Sequence, residues 1–211
     1  MFNYTKETFS AQERFNVQSW DYQEDSNFTS LINYINWLFG KRSKLLVVRI
    51  DLSFRVGAQG QYDAEYAREC FQRLLNNSRC NRIFKNKIGH IWGLEWGMDK
   101  GFHYHCIFLF DGHESNRDEP IGHLIGQYWR DAITGGTGYY RSCNDDKYNL
   151  ARLGQPVGMG MVHRNDVVMR ENLAWISTYL LKDVEKGEQQ LRAVLPESLK
   201  RFRTFGHGEM R

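Results

Sequence analysis

Two histidines and one glutamate have the residue types and the spacing of a metal site. His103 and His105 flank Tyr104 within an apolar stretch that is typical of a strand. Because successive side chains of a strand point to opposite faces, the two imidazoles emerge on one face about 7 Å apart. Glu95 precedes them on a second predicted strand, and it lies beside them if the loop between closes a hairpin. Two histidines and a carboxylate leave coordination positions open, as catalytic metal sites require.

The ligand types limit the choice of metal without fixing it. Imidazole suits zinc, iron or nickel, whereas a site that handles phosphate in a magnesium-rich cytosol favours Mg²⁺ or Mn²⁺. We therefore expect a divalent metal cofactor, Mg²⁺ or Mn²⁺ in preference to Zn²⁺. The alternative is that the histidines are structural residues on a sheet face, since a single His-x-His pair is weak evidence alone.

A later segment supplies a tyrosine that could act as a nucleophile. The helix predicted over residues 167–184 carries Tyr179 and Lys182 one turn apart. A tyrosine hydroxyl titrates near pH 10, so it needs help to react at neutral pH. A nearby ammonium and a metal-bound phosphate would both favour the phenolate. The alternative is a half-buried tyrosine beside a solvated lysine, because Tyr-x-x-Lys is a very weak motif by itself.

The elements that must position these residues follow from hydrophobic periodicity. Helices are predicted over residues 27–39, 63–77, 121–133 and 167–184. Strands are predicted over residues 45–54, 88–96 and 102–110, with weaker ones near 139–140 and 159–163. The second and third strands are joined by the short glycine-bounded loop 97–101, which is typical of a hairpin. This order predicts an α+β domain with a central, mostly antiparallel sheet of about five strands, flanked by helices.

Composition narrows the class of protein. The chain has 211 residues and a formal net charge of +3, which fits one domain with a modest extension and permits an acidic partner. Its four cysteines include no Cys-x-x-Cys pair, so neither a zinc ribbon nor a disulfide scaffold is expected. The amino terminus lacks the apolar core of a signal peptide, and the apolar runs are too short to span a bilayer. We expect a cytoplasmic protein with no membrane partner.

These motifs, taken together and in order, resemble the HUH endonucleases. That family has a histidine–hydrophobic–histidine strand, a glutamate on the strand before it and a Tyr-x-x-Lys helix. The matching residues are Phe102-His103-Tyr104-His105-Cys106, Glu95 and Tyr179-Leu180-Leu181-Lys182. The tyrosine in the middle of the triplet is a tolerable departure. The nucleophile follows the histidines and no second tyrosine lies one turn away, so the chain looks most like the single-tyrosine replication initiators of filamentous phages and prophages.

The resemblance implies a reaction and a domain organisation. The metal held by Glu95, His103 and His105 would polarise a phosphate in single-stranded DNA at an origin or hairpin. Tyr179 would attack it, leaving a 5′-phosphotyrosine and a 3′-hydroxyl that primes rolling-circle replication, with Lys182 stabilising charge. No P-loop motif occurs, so a separate host helicase and polymerase are expected. The nicking domain would span residues 45–186, after a packed helical extension over 1–44 and before a basic tail over 187–211.

Three groups of residues are candidates for holding DNA. In the family that is resembled, the strand before the hairpin carries a motif that meets DNA, and residues 45–55 occupy the matching place. Arg49, Asp51 and Ser53 share one face of that predicted strand. The second group, Tyr139-Tyr140-Arg141, combines aromatic and basic groups suited to stacking and phosphate contact. Arg201-Phe202-Arg203 could contact DNA in the same way. For each of the three groups, an ordinary surface or core role is the alternative.

Three other functions stay open from the sequence. A single-tyrosine transposase would share the chemistry and differ in its biology. A metal-dependent hydrolase would use Glu95, His103 and His105 to activate water and would not need Tyr179. A nucleic-acid-binding module without catalysis would need neither a metal nor a covalent intermediate.

Overall fold

The computed structural model describes residues 26–55, 62–98, 100–199 and 201–210. In its last helix, the side chains of residue 179 and of residues 182–190 lie outside this description, as do residues 1–25 of the predicted extension. None of the described helices combines the length and apolar character that crossing a bilayer requires.

Within the described ranges, six strands form one sheet. They are β1 Lys44–Phe54, β2 Lys87–Gly97, β3 Gly101–Asp111, β4 Gly138–Ser142, β5 Gly160–His163 and β6 Phe205–His207. The order is β4-β1-β3-β2-β6, with β5 pairing with β1 beside β4, and each of these pairings is antiparallel. The prediction of an α+β domain with a mostly antiparallel sheet is therefore confirmed.

Five α-helices flank the sheet in the described residues. They are α1 Ser26–Lys41, α2 Ala64–Asn77, α3 Asp118–Tyr128, α4 Lys147–Arg152 and α5 Val167–Val194. Aspartates start two of them in the usual way, by accepting a hydrogen bond from a backbone N–H of the first turn. Asp63 accepts from Tyr66 at the start of α2, and Asp166 accepts from Met169 at the start of α5.

The sheet has a buried core on each face. On the first face, α1 and α5 pack over Val47, Ile107 and Leu109. On the second face, α2 and α3 pack over Val48 and Phe108, among others. The alternation of strand side chains divides β1 and β3 between the two cores. Since both strands are covered on both faces, they read in the sequence as nearly continuous apolar runs.

The predicted basic tail over 187–211 is instead built into the domain. α5 continues to Val194, and Leu191 and Leu195 belong to the core of the second face. β6 then pairs with β2 and extends the sheet. Periodicity could not show this, because β6 has only three residues and a glycine in the middle.

The strands β5 and β4 pair with successive parts of β1, and the side chain of Asn144 hydrogen-bonds to the β1 backbone in the gap between them. β5 pairs with β1 up to Val47 and β4 pairs from Ile50 onward. Between them, fully buried Asn144 accepts a hydrogen bond from the backbone N–H of Arg49 at 2.8 Å and donates one to the carbonyl of Val47 at 2.9 Å. Its amide therefore substitutes for strand backbone, next to the segment of β1 that faces the candidate site.

We expect Asn144→Ala to lower the free energy of unfolding by about 2–4 kcal/mol, because it leaves two buried backbone groups without partners. Urea denaturation measures the loss. Asn149→Ala is the control: Asn149 is exposed on α4, and surface changes of this kind cost less than about 0.5 kcal/mol. Equal stabilities for the two variants would show that Asn144 does not support the sheet.

Candidate metal centre

The hairpin of β2 and β3 brings the three predicted ligands together. Glu95 pairs directly with His103, and Gly93 pairs with His105, so Glu95 and both histidines lie on one face of the sheet. It is the first face, because Ile91 and Ile107, on the same side of these strands, belong to the core under α1 and α5. Gly101 has a φ of 63°, which only glycine adopts readily, and it lets the short loop close the hairpin.

The three side chains converge on a common point. Oε2 of Glu95 lies 3.2 Å from Nε2 of His103 and 3.3 Å from Nε2 of His105. One ligand atom from each residue falls within 4.8 Å of the others. The other carboxylate oxygen, Oε1, is buried and has no hydrogen-bond partner among the described residues. Two nitrogens and an underused carboxylate at this separation fit a divalent cation.

Each histidine is held by its second ring nitrogen. Nδ1 of His103 donates to the carbonyl of Gly101 at 3.0 Å, and Nδ1 of His105 donates to Oδ1 of Asp51 at 2.6 Å. A carbonyl can only accept, so Nδ1 of His103 donates to it. Nε2 is the nitrogen that faces Glu95, and it would bind a metal after losing its hydrogen. Metal-binding histidines are usually oriented in this way, by a carbonyl or carboxylate on the far nitrogen.

The pKa values of Glu95, His105 and Asp51 are shifted in the directions that favour the charged form of each side chain. Burial raises the pKa of Glu95, but hydrogen bonds from His103 and His105 outweigh it and bring the pKa down to about 2. Burial lowers the pKa of His105, but Asp51 and Glu95 outweigh it and raise the pKa to about 9. For Asp51, burial is again outweighed, by His105 and by the charges of Arg49 and Arg141, and the pKa is lowered. Two ionised carboxylates therefore converge on this part of the sheet.

Asp51 is the residue whose role differs most from the sequence expectation. It was predicted to face DNA, whereas the structure pairs it with His105 across β1 and β3. Its side chain is 22% exposed. It is hydrogen-bonded to Nδ1 of His105, the ring nitrogen opposite the one that faces Glu95. We assign it as a positioning residue for His105.

We expect Asp51→Asn to weaken Mn²⁺ binding about 10–100-fold, because the amide can still accept from His105 but no longer supplies negative charge. Isothermal titration of the metal-free protein measures the change. Asp131→Asn serves as the control, since Asp131 is 59% exposed and paired with Arg130. Unchanged affinity in the Asp51 variant would remove it from the site.

The predicted DNA-contacting residues divide between the two faces. Ser53 pairs with Tyr139 and Asp51 pairs with Arg141, so these residues and Arg49 share the face of the candidate ligands. Tyr139 is 59% exposed there. Arg141 is also exposed, and it forms an ion pair with Asp146.

Tyr140 lies on the opposite face from its two neighbours. It packs against the second core, next to α3. A Cβ added at Gly126 of that helix would lie 2.1 Å from the tyrosine ring, so the close packing requires glycine. Tyr139 is therefore exposed on the face of the candidate ligands, whereas the partly buried ring of Tyr140 packs on the opposite face.

The helix that carries the candidate nucleophile covers the same face as the ligands. Leu173, Ile176 and Leu180 of α5 belong to the first core together with Ile91 of β2 and Ile107 of β3. The backbone of position 179 lies between two of these packed residues. The side chains of Tyr179 and Lys182 are outside the described part of the structure.

Fold and site together define an α+β protein with a candidate Glu-His-His metal centre on one face of an antiparallel sheet. The family model of the YagK/YfjJ C-terminal domain matches residues 4–153, and the chain belongs to this family. The matched range contains Glu95, His103 and His105 and ends before α5. Searches of the curated proteins and of the solved structures found no match.

Proposed function

We propose that this protein nicks and rejoins single-stranded DNA in the cytoplasm through Tyr179 and so initiates rolling-circle replication of a phage or plasmid. The observation that carries the proposal is the convergence of the Nε2 atoms of His103 and His105 on Glu95. It is supported by the placement of α5 on the same face of the sheet.

The roles of the residues follow from this arrangement. Glu95, His103 and His105 would hold a divalent cation, Mg²⁺ or Mn²⁺, which would supply Lewis-acid polarisation of the scissile phosphate. Asp51 fixes the orientation of His105, and the carbonyl of Gly101 fixes that of His103. Arg49, Arg141 and Tyr139 lie on the same face, where cationic and aromatic groups contact the DNA strand.

The covalent step is a phosphoryl transfer to Tyr179. The phenol oxygen forms a bond to phosphorus as the bond from phosphorus to the 3′ oxygen breaks, and the phenol proton is lost to solvent. The leaving 3′ oxygen takes up a proton, giving a 3′-hydroxyl and a 5′-phosphotyrosine. Lys182 stabilises the charge on the phosphate. The reverse reaction joins the ends, while a separate helicase and polymerase perform unwinding and synthesis.

The test is a search for the covalent product. The full chain is incubated with Mn²⁺ and single-stranded DNA that spans its own gene and flanking regions. We expect a protein–DNA adduct that resists denaturation, maps to Tyr179 by peptide mass spectrometry and disappears with EDTA. The absence of an adduct on this DNA, or an adduct that forms equally well in EDTA, would reject the proposal. Cleavage without an adduct would indicate a hydrolase that activates water.

A further inference from the structure

A cavity of about 450 Å³ lies at the outer edge of the sheet, on the side of β6. It is bounded by Ser30 near the start of α1, by Leu181 and Arg192 of α5, and by residues 201–207. Its volume is within the range of sites that hold small ligands or parts of larger ones, about 300–1,000 Å³. From the sequence, Arg201-Phe202-Arg203 is a candidate for holding DNA within a segment that is expected to form a basic tail.

Three arginines lie among the described residues that line this cavity. Arg192, Arg201 and Arg203 line it, and none of the lining residues that the structure describes is acidic. Arg201 and Arg203 are exposed, so their guanidinium groups can reach a ligand. Arginine binds phosphate in a planar, two-pronged geometry and is the residue most suited to such a contact.

The walls of the cavity are held in place before any ligand binds. Arg192 donates from Nη1 to the carbonyl of Phe202 at 3.2 Å, which ties the segment to α5. His207 stacks on the buried ring of Tyr34 with centroids 4.5 Å apart, and it is hydrogen-bonded to Ser30 at 2.8 Å. A site built in this way loses little conformational entropy on binding.

The cavity borders the candidate metal centre. β6 pairs Phe205 with Gly93, and the backbone N–H of Leu94 donates to the carbonyl of Thr204 at 2.7 Å. Arg203 directly precedes Thr204 in the chain, and Glu95 directly follows Leu94. Leu181, which lies two residues after Tyr179 on α5, also lines the cavity.

We propose that this arginine-lined cavity binds a backbone phosphate of the DNA strand next to the phosphate that is cut. The assignment rests on the proposed function for the identity of its ligand. Its consequence is that the strand stays bound beside the metal centre on the side of β6 after cleavage, which keeps the ends available for rejoining.

Binding measured without metal tests the cavity separately from the chemistry. The full chain in EDTA is titrated with a fluorescein-labelled oligothymidylate, and fluorescence anisotropy is followed at several salt concentrations. We expect the double variant Arg201→Ala/Arg203→Ala to bind about tenfold more weakly than the original chain. The plot of log K against log salt should become shallower by about 0.7 for each phosphate that the variant no longer neutralises.

Two comparisons make the result specific. Arg82→Ala removes an exposed arginine next to Phe84, which belongs to the core of the second face, and it should leave affinity and slope unchanged. Arg201→Lys/Arg203→Lys keeps the charges and should retain most of the slope. Equal affinity and slope for the original chain and the double alanine variant would overturn the proposal, as would an equal loss in the Arg82 variant. If the arginine substitutions weaken DNA binding but the chain forms no covalent adduct, the phosphate site is retained and the nicking proposal is rejected.

Discussion

Replacing Tyr179 by phenylalanine should abolish the covalent protein–DNA adduct and lower nicking by at least about a thousandfold, because no other group supplies the nucleophilic oxygen. The substitution keeps the aromatic ring and removes only the hydroxyl. Ile176 and Leu180, which pack on either side of position 179 in α5, are unchanged, so the helix should remain docked. The measurement is adduct yield in a denaturing gel, with thermal melting as a check of the fold.

Tyr104→Phe is the matched control for this prediction. Tyr104 lies between the two histidines in the chain, but its ring is on the opposite face and stacks on Phe71 with centroids 3.9 Å apart. Its buried hydroxyl has no hydrogen-bond partner among the described residues, and burial raises its pKa well above the ordinary value. We expect full nicking and a stability unchanged or higher by about 1 kcal/mol, since an unpaired buried hydroxyl is removed. Loss of the adduct in this variant alone would show that the nucleophile was misassigned.

Glu95→Gln should remove both metal binding and nicking, with a loss of about a thousandfold in adduct formation, because a neutral amide replaces the charged ligand. The two histidines alone leave only neutral donors around the cation. Mn²⁺ titration of the metal-free protein and adduct yield are measured on the same preparation. The variant with metal should behave like the original chain in EDTA.

The effect of Glu95→Gln on the free energy of unfolding can be measured without metal, and its direction follows from the pKa of Glu95. The pKa of Glu95 in the folded protein, about 2, lies below its ordinary value of 4.5. The carboxylate therefore stabilises the fold above pH 4.5, and this contribution is lost as the pH falls toward 2. At pH 7 we expect Glu95→Gln to be less stable by on the order of 1–2 kcal/mol. Below pH 2 the difference should vanish.

Glu119→Gln is the control for Glu95→Gln. Glu119 is a half-exposed carboxylate of α3 that pairs with Lys147, away from the hairpin. It should retain Mn²⁺ affinity and adduct formation. Undiminished metal binding in the Glu95 variant would exclude the carboxylate as a ligand.

The parts of the site that could be predicted from the sequence depend on local geometry. The alternation of side chains in β3 places His103 and His105 on one face, and the short loop before Gly101 brings Glu95 alongside. Both rules act over a few residues. Most helices and strands lie within a few residues of their predicted bounds for the same reason, because their periodicity is local. The exceptions are α4 and β6, which the periodicity does not predict, and α5, which continues from the predicted end at 184 to Val194.

The parts that could not be predicted depend on contacts distant in the chain. Asp51 meets His105 across 54 positions, and Asn144 meets Arg49 across 95. No spacing rule connects such pairs. Which of Tyr139 and Tyr140 faces the candidate ligands likewise depends on the register of β4 on β1. One local signal was present for Asp51: an acidic residue on an otherwise apolar strand needs a partner when it is buried.

The short strand β6 also protects the molecule from its own copies. It occupies the outer side of β2 along Ile91–Gly93, where the backbone would otherwise present unpaired N–H and carbonyl groups. An open strand edge is a template for pairing with another chain and leads to aggregation. A shortened form that ends after Val194 would expose this edge, so experiments that seek a minimal active fragment should keep the chain through residue 210.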